Sequence, residues 1–172
     1  RAEALVDASA PAQGWRPSNG TVYSVSRAGD MVILGGTFTR MVSPTGQTAT
    51  RNRLAAISAT TGALLSWAPN PDGGVRATAV SSDGLTLYVG GDFDRVGGAR
   101  RTNIAAVSTT TGQATAFAAP APNAPVRSLR LHDGGLFVGG IFWRVGGANR
   151  GGGAELDPTS GALRAWNPRT NW

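Results

Sequence analysis

Few residues in this chain have side chains that do chemistry. Histidine occurs once, as His132. It precedes Asp133-Gly134 at the end of a strand-like run, so it reads as a solvated turn residue. A Ser-His-Asp triad needs its three side chains in mutual contact, and no spacing here places a serine and an aspartate against His132. Asp92 and Asp94 flank Phe93. On a strand the two would project to the same side. Paired carboxylates hold a cation or exchange protons. The corresponding positions of two similar segments are Thr37 and Thr39, and Ile141 and Trp143. Asp92 and Asp94 are therefore only weak metal candidates, and no metal site is assigned. Cysteine is absent, which excludes thiolate nucleophiles, disulfides and cysteine-based metal sites. Lysine is absent too, so there is no Gly-x-x-x-x-Gly-Lys phosphate loop. The Gly pairs end strands rather than open helices, so they are not nucleotide fingerprints. The chain reads as a non-enzyme without a cofactor, with a hydrolase as a weaker alternative.

Arginine is the abundant reactive group. All 16 basic residues are Arg against 10 acidic ones, for a net charge of +6. The Arg fork matches carboxylate, sulfate and phosphate, so an anionic partner such as a glycan, an acidic protein or nucleic acid suits this balance. No nucleic-acid reading element is recognisable, which makes nucleic acid the weakest of these. Arg40, Arg95 and Arg144 recur in equivalent places, two residues after Phe38, Phe93 and Phe142. The stretches 39–53, 94–102 and 143–151 that contain them are polar and variable, and add Arg51, Arg53, Arg100, Arg101 and Arg150. The candidate ligand-binding set is Arg40, Arg95, Arg100, Arg144 and Arg150, with Trp143 as an aromatic that would stack on a ligand. The competing reading makes Arg40, Arg95 and Arg144 glue between repeats, stacked on aromatic rings or paired with Asp92 and Asp94.

The elements that would position these residues come from a repeat. Leu34-Gly35-Gly36-Thr37-Phe38, Val89-Gly90-Gly91-Asp92-Phe93 and Val138-Gly139-Gly140-Ile141-Phe142 are three copies of one pattern. Each is preceded by an alternating run that starts at Val22, Val75 or Val126. Leu54-Ala55-Ala56-Ile57 matches Ile104-Ala105-Ala106-Val107, and both lead into Thr-Thr-Gly turns. Trp67, Phe117 and Trp166 close the copies, and Trp15 closes an earlier partial one. The period is about 50 residues, which belongs to propellers and solenoids. Each copy holds four short strand-like segments bounded by turns; in the second copy these are residues 75–80, 85–91, 103–108 and 113–117. No window carries a capped helical stripe. The expected units are residues 1–21 as the back half of a preceding blade, 22–74, 75–125 and 126–172. The Gly-rich stretch at 148–153 departs from the pattern and weakens the third strand of the last copy. The closing aromatics are expected to pack between repeats.

The run Leu87 to Gly98, then Asn103-Ile104-Ala105-Ala106, Thr111-Gly112 and the Trp-x-Pro-Asn of Trp67 to Asn70, resembles the delta-sixty-type β-propeller repeat of bacterial secreted and cell-surface proteins. The resemblance covers essentially the whole chain. It implies an all-β propeller of four-stranded antiparallel blades and an extracellular or cell-surface location. That family has no agreed catalytic residues, so none is carried over.

About three and a half blades fall short of the four to eight of a closed propeller. The chain begins with Arg1 and carries no signal-peptide pattern. Three readings remain open: a piece of a longer chain that supplies the missing blades, self-association of two copies, or an open arc. No apolar stretch is long enough to span a membrane. The expected role is non-catalytic binding of a cell-surface glycan or protein, or scaffolding, with a self-assembling module of a surface or filament as the alternative.

Overall fold

The computed structural model describes residues 14–168. Among them all regular structure is β-strand, as the turn-rich sequence predicts. Three open, three-stranded antiparallel sheets follow one another along the chain. The first is made of Val22–Ala28, Met31–Gly36 and Leu54–Ser58. The second is Gly74–Val80, Thr86–Asp92 and Ile104–Ser108. The third is Val126–His132, Gly135–Gly140 and Gly153–Leu156. The second strand lies in the middle of each sheet. Leu87, Tyr88 and Val89 are all buried, so this strand has both faces covered and reads as a continuous apolar run.

The expected fourth strand is shorter than predicted. It is reduced to single bridges, Ile57 with Leu64, Val107 with Ala114 and Leu156 with Leu163. Beyond Thr115 the segment's carbonyls turn to a guanidinium rather than to a neighbouring strand: Arg101 donates to the oxygens of Thr115 and Phe117. The third copy's third strand is present despite its Gly-rich lead-in. The residue before each third strand is left-handed, with φ of 61° at Arg53, 64° at Asn103 and 77° at Gly152. Glycine is the residue best suited to that position. The apparent departure at 148–153 therefore fits the backbone better than the other two copies do.

The polar stretches between second and third strands, expected as loops, also hold structure. Arg95–Val96 pairs with Ala99–Arg100, and Arg144–Val145 with Ala148–Asn149, each across a Gly-Gly turn. In the first copy Arg40–Val42 pairs with Thr48–Thr50, and Arg16–Pro17 adds a third strand. Most of the expected partial unit at 1–21 lies outside the described residues. Trp15 is within them and packs half-buried near Phe38 and Met41.

The sheets stack through their first strands. A bulge interrupts each of these between Val22 and Ser24, Val75 and Ala77, or Val126 and Ser128. The extra residue puts Val75 and Thr78 on the same side, toward the first sheet. A Cβ placed on Gly35 would stand 2.7 Å from Val75 Cγ1, and one on Gly90 would stand 2.5 Å from Val126 Cγ1. The missing side chain is thus the space the next sheet's valine fills. The second glycine of each pair faces backbone instead: a Cβ on Gly91 would meet the Gly74 carbonyl oxygen at 2.0 Å. Ser26 and Thr78 hydroxyls bond across the same junction at 2.7 Å. Trp67 packs into the core of the second sheet and donates its indole N–H to the Ser108 carbonyl, and Phe117 enters the core of the third. Trp166 departs from this rule and is 44% exposed.

Gly90→Ala should therefore cost about 2 kcal/mol, because neither the strand nor buried Val126 can yield easily. Combined with Val126→Ala, part of that cost should return. Denaturant unfolding of both single variants and the double variant checks the coupling.

Candidate functional site

The three inserted hairpins share one end of the molecule. Each leaves the end of a second strand. The first strands lie side by side in the same direction, since Ser24, the register partner of Gly35, lies by Val75 and Ser26 by Thr78. Arg40, Arg95 and Arg144 stand at the start of the hairpins, and all three are exposed.

Their backbones are tied down by a recurrent Asx residue that the sequence reading missed. Asn19 Oδ1 accepts from the N–H groups of Thr39 and Arg40, both at 3.0 Å. Asp72 Oδ1 accepts from Asp94 at 2.8 Å and Arg95 at 2.9 Å. Asn123 Oδ1 accepts from Trp143 at 3.1 Å and Arg144 at 2.9 Å. In return, Ser18, Asp72 and Asn123 donate their N–H groups to the carbonyls of Arg40, Arg95 and Arg144. The signal was available: Pro17-Ser18-Asn19, Pro71-Asp72 and Pro122-Asn123 recur ahead of the first strands.

Arginine therefore has two jobs here. Arg51, Arg101 and Arg150 form the repeat's internal clamp. Arg51 donates to Leu65 at 2.7 Å, and Arg150 to Arg164 at 3.1 Å, each bond to a carbonyl of the outer segment. Arg101 is the most complete clamp, reaching Arg100, Thr115 and Phe117. In Arg51 and Arg150 the buried Nε has no acceptor among the described residues. Arg150, predicted to bind ligand, is thus spent on the fold. The predicted glue is corrected as well. Asp92 pairs with Arg76 at 3.0 Å, not with Arg95, and Arg76 stacks over Tyr23 at 4.6 Å from the ring centroid. The cation–carbonyl clamp lies within each repeat and is made by the Arg eleven residues after Arg40 and six residues after Arg95 and Arg144.

Of the predicted set, Arg100 is exposed and Arg144 reaches Asn149 Oδ1 at 3.2 Å. Trp143 is 61% exposed beside Arg144. Arg95 lines a depression of about 380 Å³ together with Pro69, Asn70, Asp72, Gly97 and Gln113. Asn70 is held there at a φ of 49°, a left-handed conformation that an Asn tolerates at some cost. Asp94 is exposed at the rim of this end. No cluster of three metal-ligating side chains forms among the described residues.

The opposite end carries the carboxyl groups with shifted titration. Hydrogen bonds from Ser58 and Thr60 lower the Asp30 carboxyl, and bonds from Ser81 and Leu85 lower Asp83. Asp157 is held far below the usual carboxylate range by the Ser160 N–H, Arg164 and the Ser160 hydroxyl. Each of these carboxylates braces a turn. His132 lies here too, 3.1 Å from Asp133 and largely exposed. Ser81 and Ser82 line the same depression of about 330 Å³. Ser81 donates to Asp83, and no Ser–His bond forms among the described residues.

No protein-family model matches the chain, and no curated protein does. Among solved structures it is similar to the computationally designed Ika8 protein, at 14% identity and a TM-score of 0.38. That match covers 86% of this chain, which spans 61% of the designed one.

Two outcomes follow from this division. Arg101→Ala should lower stability by about 2 kcal/mol, since it strips a charged donor from three carbonyls. Arg95→Ala should change stability by about 0.5 kcal/mol or less; thermal unfolding separates them. On acidification, the lowered carboxyls bind protons more readily in the unfolded chain. Their stabilisation is full above the ordinary Asp range, about pH 4, and is lost as pH falls below it. Acid titration of Asp157→Asn should show a shallower loss than the unmodified chain.

Proposed function

We propose that this chain is part of a non-catalytic β-propeller-type binding protein of the bacterial cell surface or extracellular space. The inserted-hairpin end would recognise an anionic, hydroxyl-rich polymer such as a surface glycan. The observation that carries this reading is the repeated pair of arginines. One of each pair is consumed by backbone carbonyls, while Arg40, Arg95 and Arg144 keep exposed guanidinium groups on backbones fixed by Asn19, Asp72 and Asn123. Fixing the backbone reduces the ordering cost of binding. Exposed Trp143 beside Arg144 supplies an apolar ring face of the kind that packs on a sugar. Side-by-side first strands and outward-turned third strands suit blades around an axis. The resemblance of the repeat supports the propeller and the location.

The alternative, a self-assembling module, is favoured by a different observation: Val22 and Val25 on the first strand are exposed at 36% and 64%.

The test is titration with dextran sulfate, neutral dextran and a single-stranded oligonucleotide. Dextran sulfate should bind, with affinity that falls as salt rises. The triple variant Arg40→Ala, Arg95→Ala, Arg144→Ala should lose about tenfold or more in affinity while keeping its thermal midpoint. Trp143→Ala should weaken binding further without changing the salt slope. Binding left intact in the triple variant would remove the proposed face. Equal or tighter binding of the oligonucleotide would favour a nucleic-acid partner instead.

A further inference from the structure

We infer that this chain associates head to tail with a second copy of itself. The first strand of one copy would dock on the outward face of the third sheet of the other. The inference rests on residues apart from the hairpin end; it deepens the self-assembly alternative above by naming the two faces that meet.

Both internal junctions use one device: a valine of the following sheet fills the space above a side-chain-free position of the preceding one. Val75 and Val126 are fully buried in this way over Gly35 and Gly90. The two outward faces carry the unmatched halves of the same device. Val22 holds the register position of Val75 and Val126, yet is 36% exposed. Gly139 holds the position of Gly35 and Gly90. Among the described residues, the nearest atoms to a Cβ on it belong to its own sheet's Ser128 and the carbonyl oxygen of Gly152. A shallow depression of about 490 Å³ lies over Gly139, floored by Phe137 and Trp166. The bulge that aims Val75 and Thr78 together aims Val22 and Val25 together. The matching side chain at the internal junction is Tyr23 under Arg76. At the new junction Arg127 takes the preceding position and a second copy's Tyr23 the following one, so the cation–π pair forms with its partners exchanged.

The outer halves of the two faces differ from an internal junction. Where the first two sheets have buried Ala56 and Ala106, the third has Glu155, paired with Arg164 at 2.9 Å. On the first sheet, Trp15 already covers the ground that Trp67 covers on the second. The new junction therefore has an apolar centre along the inner strands and a polar outer rim. Such an interface is smaller than the covalent junctions and opens on dilution. The surfaces that meet are different, so the contact is heterologous. It builds rings, two-membered ones included, or open chains rather than isologous dimers.

The experiment is sedimentation velocity of the full chain over a wide concentration range, with two end-blocking variants. Val22→Asp removes the knob. Phe137→Ser spoils the receiving face while leaving Gly139 and its backbone untouched. Circular dichroism checks that each stays folded; if Phe137→Ser does not, Arg130→Glu on the same face replaces it. The unmodified chain should grow in mass with concentration, and high salt should leave this growth in place. Each variant alone should stay at one chain. An equal mixture of the two should form particles of two chains and no more, because each supplies the end the other lacks. A chain that stays single at its solubility limit overturns the inference, as do variants that associate like the unmodified chain. Association that salt abolishes also overturns it. Dextran sulfate binding should be unchanged in both variants, so failure here leaves the hairpin reading standing, and failure there leaves this one.

Discussion

Everything in this molecule depends on how closely one sheet can approach the next. The approach is set where Val75 and Val126 fill the space above Gly35 and Gly90. A methyl group at either glycine would push the sheets apart, and close-packed interiors do not absorb such a step without loss. The seat fixes the distance, and the bulge beside it fixes the rotation, by aiming two side chains of the first strand at the same neighbour. Once the first strands lie side by side in one direction, the ends of the second strands must coincide. The inserted hairpins then share one end without any further instruction.

That end shows why net charge is a poor guide to available charge. The chain is rich in Arg, yet Arg51, Arg101 and Arg150 act within the fold as donors to carbonyls that a longer fourth strand would have satisfied. A guanidinium suits this work because it offers several donors in one plane and stays ionised. The outer segment can then be short. The cost is that three cations are withdrawn from any ligand. Asn19, Asp72 and Asn123 make the complementary economy: each satisfies two backbone donors and leaves the neighbouring Arg side chain exposed.

The two ends of the sheets have different chemistry for related reasons. Turns between antiparallel strands leave N–H groups in need of acceptors, and Asp30, Asp83 and Asp157 supply them. Their carboxyls are held ionised by this work and serve the fold. The third sheet shows the same thrift on its outward face. Glu155 occupies a position that is alanine in the other two sheets, and Gly135 leaves the room that its carboxylate fills. Paired with Arg164, it lets an outer edge that would otherwise be apolar meet water.

The sequence by itself determined the strand-rich repeat and its turns, because these depend on local alternation and on residues such as Gly that act through their own backbone. It also located the polar insertions that carry the exposed Arg side chains. The burial of Phe38, Phe93 and Phe142 was decided by the packing around them. Tertiary structure alone decided which Arg of each pair is exposed and which is spent on carbonyls. Arg95 and Arg101 have the same charge and sit in one short stretch, and only the position of the Phe117 and Thr115 carbonyls tells them apart. The same holds for the third copy. Its run of glycines looks like a broken strand until the left-handed φ of Gly152 places it where Arg53 and Asn103 bear a less suitable side chain. Composition describes what a residue can do; the position of a carbonyl or the sign of a dihedral, fixed by distant packing, decides which of those things it does.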